Sequence, residues 1–247
     1  MNSLTFRFRY RGWRARFRDH RAEITALTNA LRPGDVAIDV GANKGSFLPS
    51  LSRAVPAGTV FAFEPQPVLA AYLEIAVVSA GLSNVVVEAQ GVSDRAGRLT
   101  LGIPGEGESS PGASFEESVK GGGRCRLIEV PVCTLDDYFA GERRRIGAIK
   151  IDVEGHELSM LRGSENILRA HRPTVVCESE ARHMAGRSVT TVLDYFRSLG
   201  YDGCFVHRSR LVPITDFDPA RHQRAVGDRY WNDKDYCNNF VLTPVGP

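Results

Sequence analysis

From residue 33 onward the chain alternates short, almost unbroken apolar runs with stretches of helical character, and nothing else restricts its fold as much. Val36-Ala37-Ile38-Asp39-Val40 follows the Pro33-Gly34-Asp35 turn and reads as a buried strand. Residues 47–55 suit a short helix, 59–64 a second strand, 68–80 a helix closed by Gly81, and 84–88 a third strand. Strands this apolar have both faces covered. The pattern therefore predicts a three-layer, doubly wound α/β domain built on a parallel sheet. More strands are expected at 129–134, 146–153, 173–178, 204–206 and 240–242, with a helix capped by Ser188 and ended by Gly200. Residues 102–124, rich in Gly, Ser and Glu, read as a mobile loop, and 215–237 as a polar connecting segment.

A length of 247 residues suits one such domain. No apolar run approaches the length of a bilayer span, and no signal peptide opens the chain. The five cysteines are odd in number, scattered and without a CxxC pair, which predicts free thiols in a reducing cytoplasm rather than a disulfide framework or a zinc site. Net charge is only +2, but residues 1–21 hold seven arginines against the single acid Asp19. Phe6, Phe8, Tyr10, Trp13 and Phe17 interleave with those arginines. Such an arm could grip nucleic acid, an anionic membrane or a partner chain. The reading preferred here is a docked element with its arginines on a solvated face, because nothing else in the chain is basic.

Three clusters carry candidate chemistry. Asp39-Val40-Gly41-Ala42-Asn43-Lys44-Gly45 ends the first strand and turns into a helix at the sheet's carboxyl edge, where open α/β folds bind ligands. Gly41 and Gly45 are expected to leave volume for that ligand. Asn43 stands where a pyrophosphate loop would need glycine, which favours a cofactor without phosphate. Glu64, at the end of the second strand, is placed to accept the hydrogen bonds of a ribose diol.

In Lys150-Ile151-Asp152-Val153-Glu154-Gly155-His156 the period of two puts Lys150, Asp152 and Glu154 on one strand face. Burying unpaired charge is costly, so these must pair or face an open site. Lys150 is read as the inner partner of a carboxylate, and Asp152 or His156 as a general base. Glu154, His156, Glu178 and Glu180 are read as a grip for substrate hydroxyls. One strand cannot aim three ligands at one ion, so the stretch is not read as a metal site.

In this order the blocks Ile38 to Gly45, Phe63-Glu64-Pro65, Gly91-Val92-Ser93-Asp94 before Gly97, Thr134 to Tyr138, and Ile149 to Gly163 resemble the FkbM-type methyltransferases, a branch of the class I S-adenosylmethionine-dependent fold. The resemblance spans about residues 33–180. It implies a Rossmann-like methyltransferase domain at 33–247, with a basic aromatic extension at 1–32. The implied sheet has seven mostly parallel strands and an antiparallel last strand. The implied activity is O-methylation of hydroxyls on sugars, glycolipids or polyketide-like products. Carried over residue by residue, Asp39 and Gly41 would hold the methionine end of S-adenosylmethionine, Glu64 the ribose, and Gln90, Gly91 and Val92 the adenine edge, with Asn43, Gly45 and Asp152 beside them.

The expected partner is a small-molecule or glycan hydroxyl, with no nucleic acid unless the arm holds it and with a second copy of the chain as a candidate. The rivals are a nicotinamide-dependent oxidoreductase, which the missing third glycine disfavours, and a non-catalytic carbohydrate- or RNA-binding module. No Asn-Pro-Pro-Tyr block for a flipped base is present.

Overall fold

A computed structural model describes residues 3–121, 123–184, 186–227 and 229–246. The arm forms α1 (Ser3–Arg14), a widened π-helical turn (Ala15–Asp19) and α2 (Arg21–Ala30). The first half of the sheet domain follows as β1 (Val36–Val40), α3 (Leu48–Ala54), β2 (Thr59–Phe63), α4 (Pro67–Ala80) and β3 (Val85–Glu88). A small three-stranded sheet interrupts, made of β4 (Gly91–Val92), β5 (Gly97–Pro104) and β6 (Cys125–Cys133), with the short helix α5 (Glu117–Lys120) between the last two. Then come α6 (Leu135–Tyr138), β7 (Ile146–Ile151), α7 (Glu157–Arg162), α8 (Glu165–His171), β8 (Thr174–Glu178), α9 (Val189–Ser198), β9 (Tyr201–His207), β10 (Arg210–Pro213), α10 (Pro219–His222) and β11 (Asn239–Pro244).

The main sheet runs β10-β9-β11-β8-β7-β1-β2-β3. Its β8-β7-β1-β2-β3 half is parallel, and β11 pairs antiparallel with both β8 and β9. The Rossmann-like sheet with an antiparallel last strand is therefore present, with eight strands rather than seven. The eighth, β10, hairpins onto β9 at the edge. Its turn uses Arg208 and Ser209, both at positive φ (47° and 63°), where a tight hairpin usually announces itself with glycine or asparagine.

Alternation along the strands splits the core into two layers. Val36, Ile38, Val40, Ile149, Ile151 and Val175 face α6 to α9. Ala37, Val60, Ala148, Val176 and Val241 face the other side, where the helices approach more closely over small residues. Part of that second layer is the arm. Phe8, Ile24 and Leu27 are fully buried and join Leu48, Leu51 and Leu73 in one cluster. Within the arm, α2 covers a face of β7 and β8. Among the described residues no helix is long and apolar enough to cross a membrane.

Strand order changes direction between β1 and β7: the chain leaves β1 toward β2 on one side and returns at β7 on the other. The carboxyl ends of these two neighbours bound the crevice in which such folds bind ligands. Leu27→Ala should cost about 2–5 kcal/mol. Urea denaturation should show it as one shifted transition for the whole domain, and a separate early transition would mark the arm as an independent unit.

Candidate active site

Register builds the site's floor. Asp39 of β1 lies opposite Lys150 of β7, and Val40 opposite Ile151. Lys150 Nζ, buried, sits 3.2 Å from Asp39 Oδ1 and 3.4 Å from Asp152 Oδ2, and donates to the Gly41 carbonyl at 2.7 Å. Burial works against its charge, but Asp39 and Asp152 outweigh that and hold the ammonium above the ordinary lysine range. Asp39 is sealed beneath the loop, and apart from this ion pair its carboxylate has no hydrogen-bond donor among the described residues.

Both loop glycines adopt φ of +74°, but neither leaves room for a ligand. A Cβ on Gly41 would lie 1.9 Å from the Asp152 carbonyl oxygen, and one on Gly45 would meet Phe8, Leu73 and Leu48 side chains at 2.7–3.0 Å. The expected ligand volume is instead protein packing: Gly41 lets the ends of β1 and β7 touch, and Gly45 lets the arm dock.

Two clefts open on either side of this junction. The first lies between Gly41, Asn43, Glu64 and Gln66 on one wall and Gly91, Val92, Leu101 and Phe115 on the other, with Asp152 and Glu154 at its end. Glu64, buried, accepts the Asn43 amide at 2.7 Å and the Gln66 amide at 2.9 Å, one per oxygen. Each oxygen keeps a lone pair for a further donor. Burial raises the Glu64 pKa, and the two amides oppose that. Among the described residues no Lys or Arg lines this cleft. The second cleft is lined by Arg11, His20, Asn43, Lys44, Lys150, Asp152, Glu178 and Asn239, among others. Gly41, Asn43, Pro111 and Asp152 belong to both.

The segment expected to be a mobile loop is partly ordered sheet and partly a roof. Gly102–Pro104 complete β5, and Ser114 bridges back to Gly102. The Ser110 amide donates to Gln66 Oε1 at 2.9 Å, and Ser114 Oγ donates to the Glu154 carbonyl at 2.6 Å. Small polar residues look disordered in sequence, but here their hydrogen bonds are spent on the site.

The remaining candidates separate. Gly91 and Val92 reach the first cleft, whereas Gln90 turns its amide to Glu88 Oε2 at 3.3 Å. His156 lines neither cleft: Nε2 lies 2.9 Å from Ser93 Oγ and Nδ1 3.2 Å from Glu116 Oε1, against the Phe115 ring. Both ring nitrogens are engaged, so the structure gives His156 no path to a substrate proton. The hydrogen bond to His156, with help from Arg187, lowers the Glu116 pKa. Glu154 meets the first cleft, with its carboxylate 2.7 Å from His183 Nε2.

Glu178 lines the second cleft, where burial and the negative neighbours Asp152 and Glu154 push its pKa well above the carboxylate range. Glu180 does not reach a cleft; Arg182 pairs with it, and Tyr236 and Asn238 donate to it. Asn238, which also donates to Glu178 at 2.7 Å, was not expected. Nor were Arg11, His20, Gln66 and Asn239, whose roles depend on contacts far away in sequence. Among the described residues no group of three or more His, Cys, Asp or Glu could hold a metal ion.

Residues 39–202 match the methyltransferase FkbM domain. The chain belongs to the FkbM methyltransferase family. The methyltransferase sdnD of Sordaria araneosa is 30% identical over 173 residues, covering 60% of this chain and 65% of its own. The 31-O-demethyl-FK506 methyltransferase FkbM of Streptomyces tacrolimicus is 35% identical over 162 residues, covering 55% and 62%. The match thus spans a little under two thirds of each relative's length.

Among solved structures, the methyltransferase FkbM from Methylobacillus flagellatus superposes with a TM-score of 0.53 at 15% identity, covering 98% of this chain and 55% of that one. A Streptococcus mutans methyltransferase in complex with SAH gives 0.52 at 10% identity, covering 90% and 96%. Likeness at these identities is one of fold. The family's cofactor is S-adenosylmethionine, and the first cleft fits it: the Gly91, Val92, Leu101 and Phe115 wall is apolar, an acid with spare lone pairs stands at the strand end, and among the described residues no Lys or Arg lines it to meet phosphate.

Glu157, at the start of α7 behind the site, accepts the Gly155 amide at 2.8 Å, and burial pushes its pKa up to about 8 from 4.5. The unfolded chain loses that proton first, so stability falls as pH rises from about 4.5 to about 8. Glu157→Gln should flatten that fall, measured as melting temperature against pH. Gly41→Ala should lower stability by more than about 2 kcal/mol in urea titration, and an unshifted midpoint would show that the strand ends can part freely.

Proposed function

We propose that this FkbM-family chain transfers a methyl group from S-adenosylmethionine to a hydroxyl of a small molecule or glycan. The observation that carries the reading is the position of Asp152, the one carboxylate on the walls of both clefts. The 31-O-demethyl-FK506 relative, named for methylation at an oxygen, supports oxygen as the acceptor atom.

S-adenosylmethionine, when bound, supplies an electrophilic methyl on a sulfonium. Glu64 accepts the ribose hydroxyls with the lone pairs left over from Asn43 and Gln66. The Gly91-Val92 backbone borders the adenine, and the acidic floor of Asp39 and Asp152 suits a cationic ligand. Asp152 takes the proton of the acceptor hydroxyl, a contribution of roughly 10²–10⁴-fold. Lys150 holds that carboxylate in place from below. Glu178, carrying its proton, donates to an acceptor oxygen, and Asn239 offers its amide beside it. The roof of Ser110 to Ser114 excludes water. Residues 33–247 form the catalytic domain in this reading. Five free cysteines fit a reducing cytoplasm.

Asp152→Asn should leave S-adenosylmethionine binding within severalfold by calorimetry and cut turnover by about 10²-fold or more. Turnover is read by mass spectrometry with labelled cofactor over a panel of hydroxyl acceptors. Full turnover in that variant would exclude Asp152 as the base, and tight binding of NADH in place of S-adenosylmethionine would overturn the assignment.

A further inference from the structure

We infer that α1 is a membrane-surface anchor that lays its outer face on a bilayer of anionic lipid. Together with the π-helical turn that continues it, the helix has two apolar faces. Phe8 and Ala15 dock on the domain, while Phe6, Tyr10, Trp13 and Phe17 form an outward stripe, 49–57% exposed. The four rings follow one another at centroid spacings of 6.1, 6.0 and 5.9 Å. Burying aromatic area of this size drives interfacial helices into the headgroup region, and Trp and Tyr suit that depth because one end is apolar and the other polar.

Arginines flank the stripe on both sides. At helical spacing Arg7, Arg14 and Arg18 fall along one edge, and Arg9 and Arg16 along the other. The only acid in residues 1–21, Asp19, is taken up by Arg14 and Arg18 at 2.9 and 3.9 Å. An apolar stripe with cationic margins complements an anionic lipid surface, where each basic residue adds attraction.

The same geometry argues against other occupants. A second copy packed through this face would set arginine margins against arginine margins with no acid between them. Nucleobases stack on ring faces, but Phe6, Tyr10 and Trp13 are nearly parallel, at 5° and 17°, with centroids only 6.1 and 6.0 Å apart, too close to admit a base between them.

Vesicle co-sedimentation of the full chain tests this without any methyl acceptor, so its outcome is independent of the proposed reaction. Vesicles containing phosphatidylglycerol should capture the protein, and pure phosphatidylcholine should capture far less. Arg7→Gln and Arg16→Gln should each lower partitioning about fivefold. Trp13→Ser with Phe17→Ser should abolish it while circular dichroism and melting temperature stay unchanged, since both side chains are exposed. In a Trp231→Phe background, Trp13 is the sole indole, and its emission should shift blue on anionic vesicles and be quenched by brominated lipid.

Equal capture by both vesicle types, or no blue shift, would overturn the proposal. So would quenching of Trp13 by single-stranded RNA without vesicle binding, or a dimer in ultracentrifugation that Phe17→Ser dissolves.

Discussion

One buried ammonium ties the structure together. Lys150 stands in the centre of a parallel sheet, between a carboxylate on the neighbouring strand and another two residues along its own. Removing one partner from a buried charge set typically costs about 3–5 kcal/mol, so the three charges stand or fall as a unit. Because Lys150 also donates to the Gly41 carbonyl, it fixes the loop's starting direction relative to the end of β7. The ion pairs therefore tie the ends of β1 and β7 together and offset part of the floor's negative charge.

Around that floor the acids are sorted by what closes over them. Glu178 and Glu180 both accept from Asn238, two residues apart on one side of β8's end. Arg182 stacks over Trp231 and pairs with Glu180, so that carboxylate is structural. Burial opposes the charge of Glu180, but the bonds from Arg182 and Asn238 outweigh it and keep its pKa below the usual range. Glu178 has no ion pair among the described residues and lines the open cleft, where burial and its negative neighbours raise its pKa. Two glutamates two positions apart thus differ in chemistry because Arg182 pairs with only one of them.

The sheet was legible because buried strands are written as local apolar runs, and β1, β2, β7 and β8 fall where those runs do. Lys150 was legible too, since a charge in such a run demands a partner. The glycines were visible, but their purpose was not: Asp152 approaches Gly41 only once β1 and β7 are neighbours, a fact of strand order. His156 looked available because its engagement depends on Ser93 and Glu116, 63 and 40 residues back. The edge strand β10 escaped because Arg208 and Ser209 hold left-handed backbone without the residues that usually signal it. Local physics wrote the elements, and long-range contact decided which polar groups were free.

The roof over the clefts has a kinetic consequence. Ser110 is fastened to the Gln66 side chain, Ser114 to the Glu154 carbonyl, and Pro111 between them overhangs both compartments. A lid shared by two chambers cannot be lifted for one alone. In the proposed reaction the hydrogen bonds at Ser110 and Ser114 would break whenever this roof lifts. Turnover then has a ceiling set by how often the lid rises, and no improvement at the reacting atoms can exceed it.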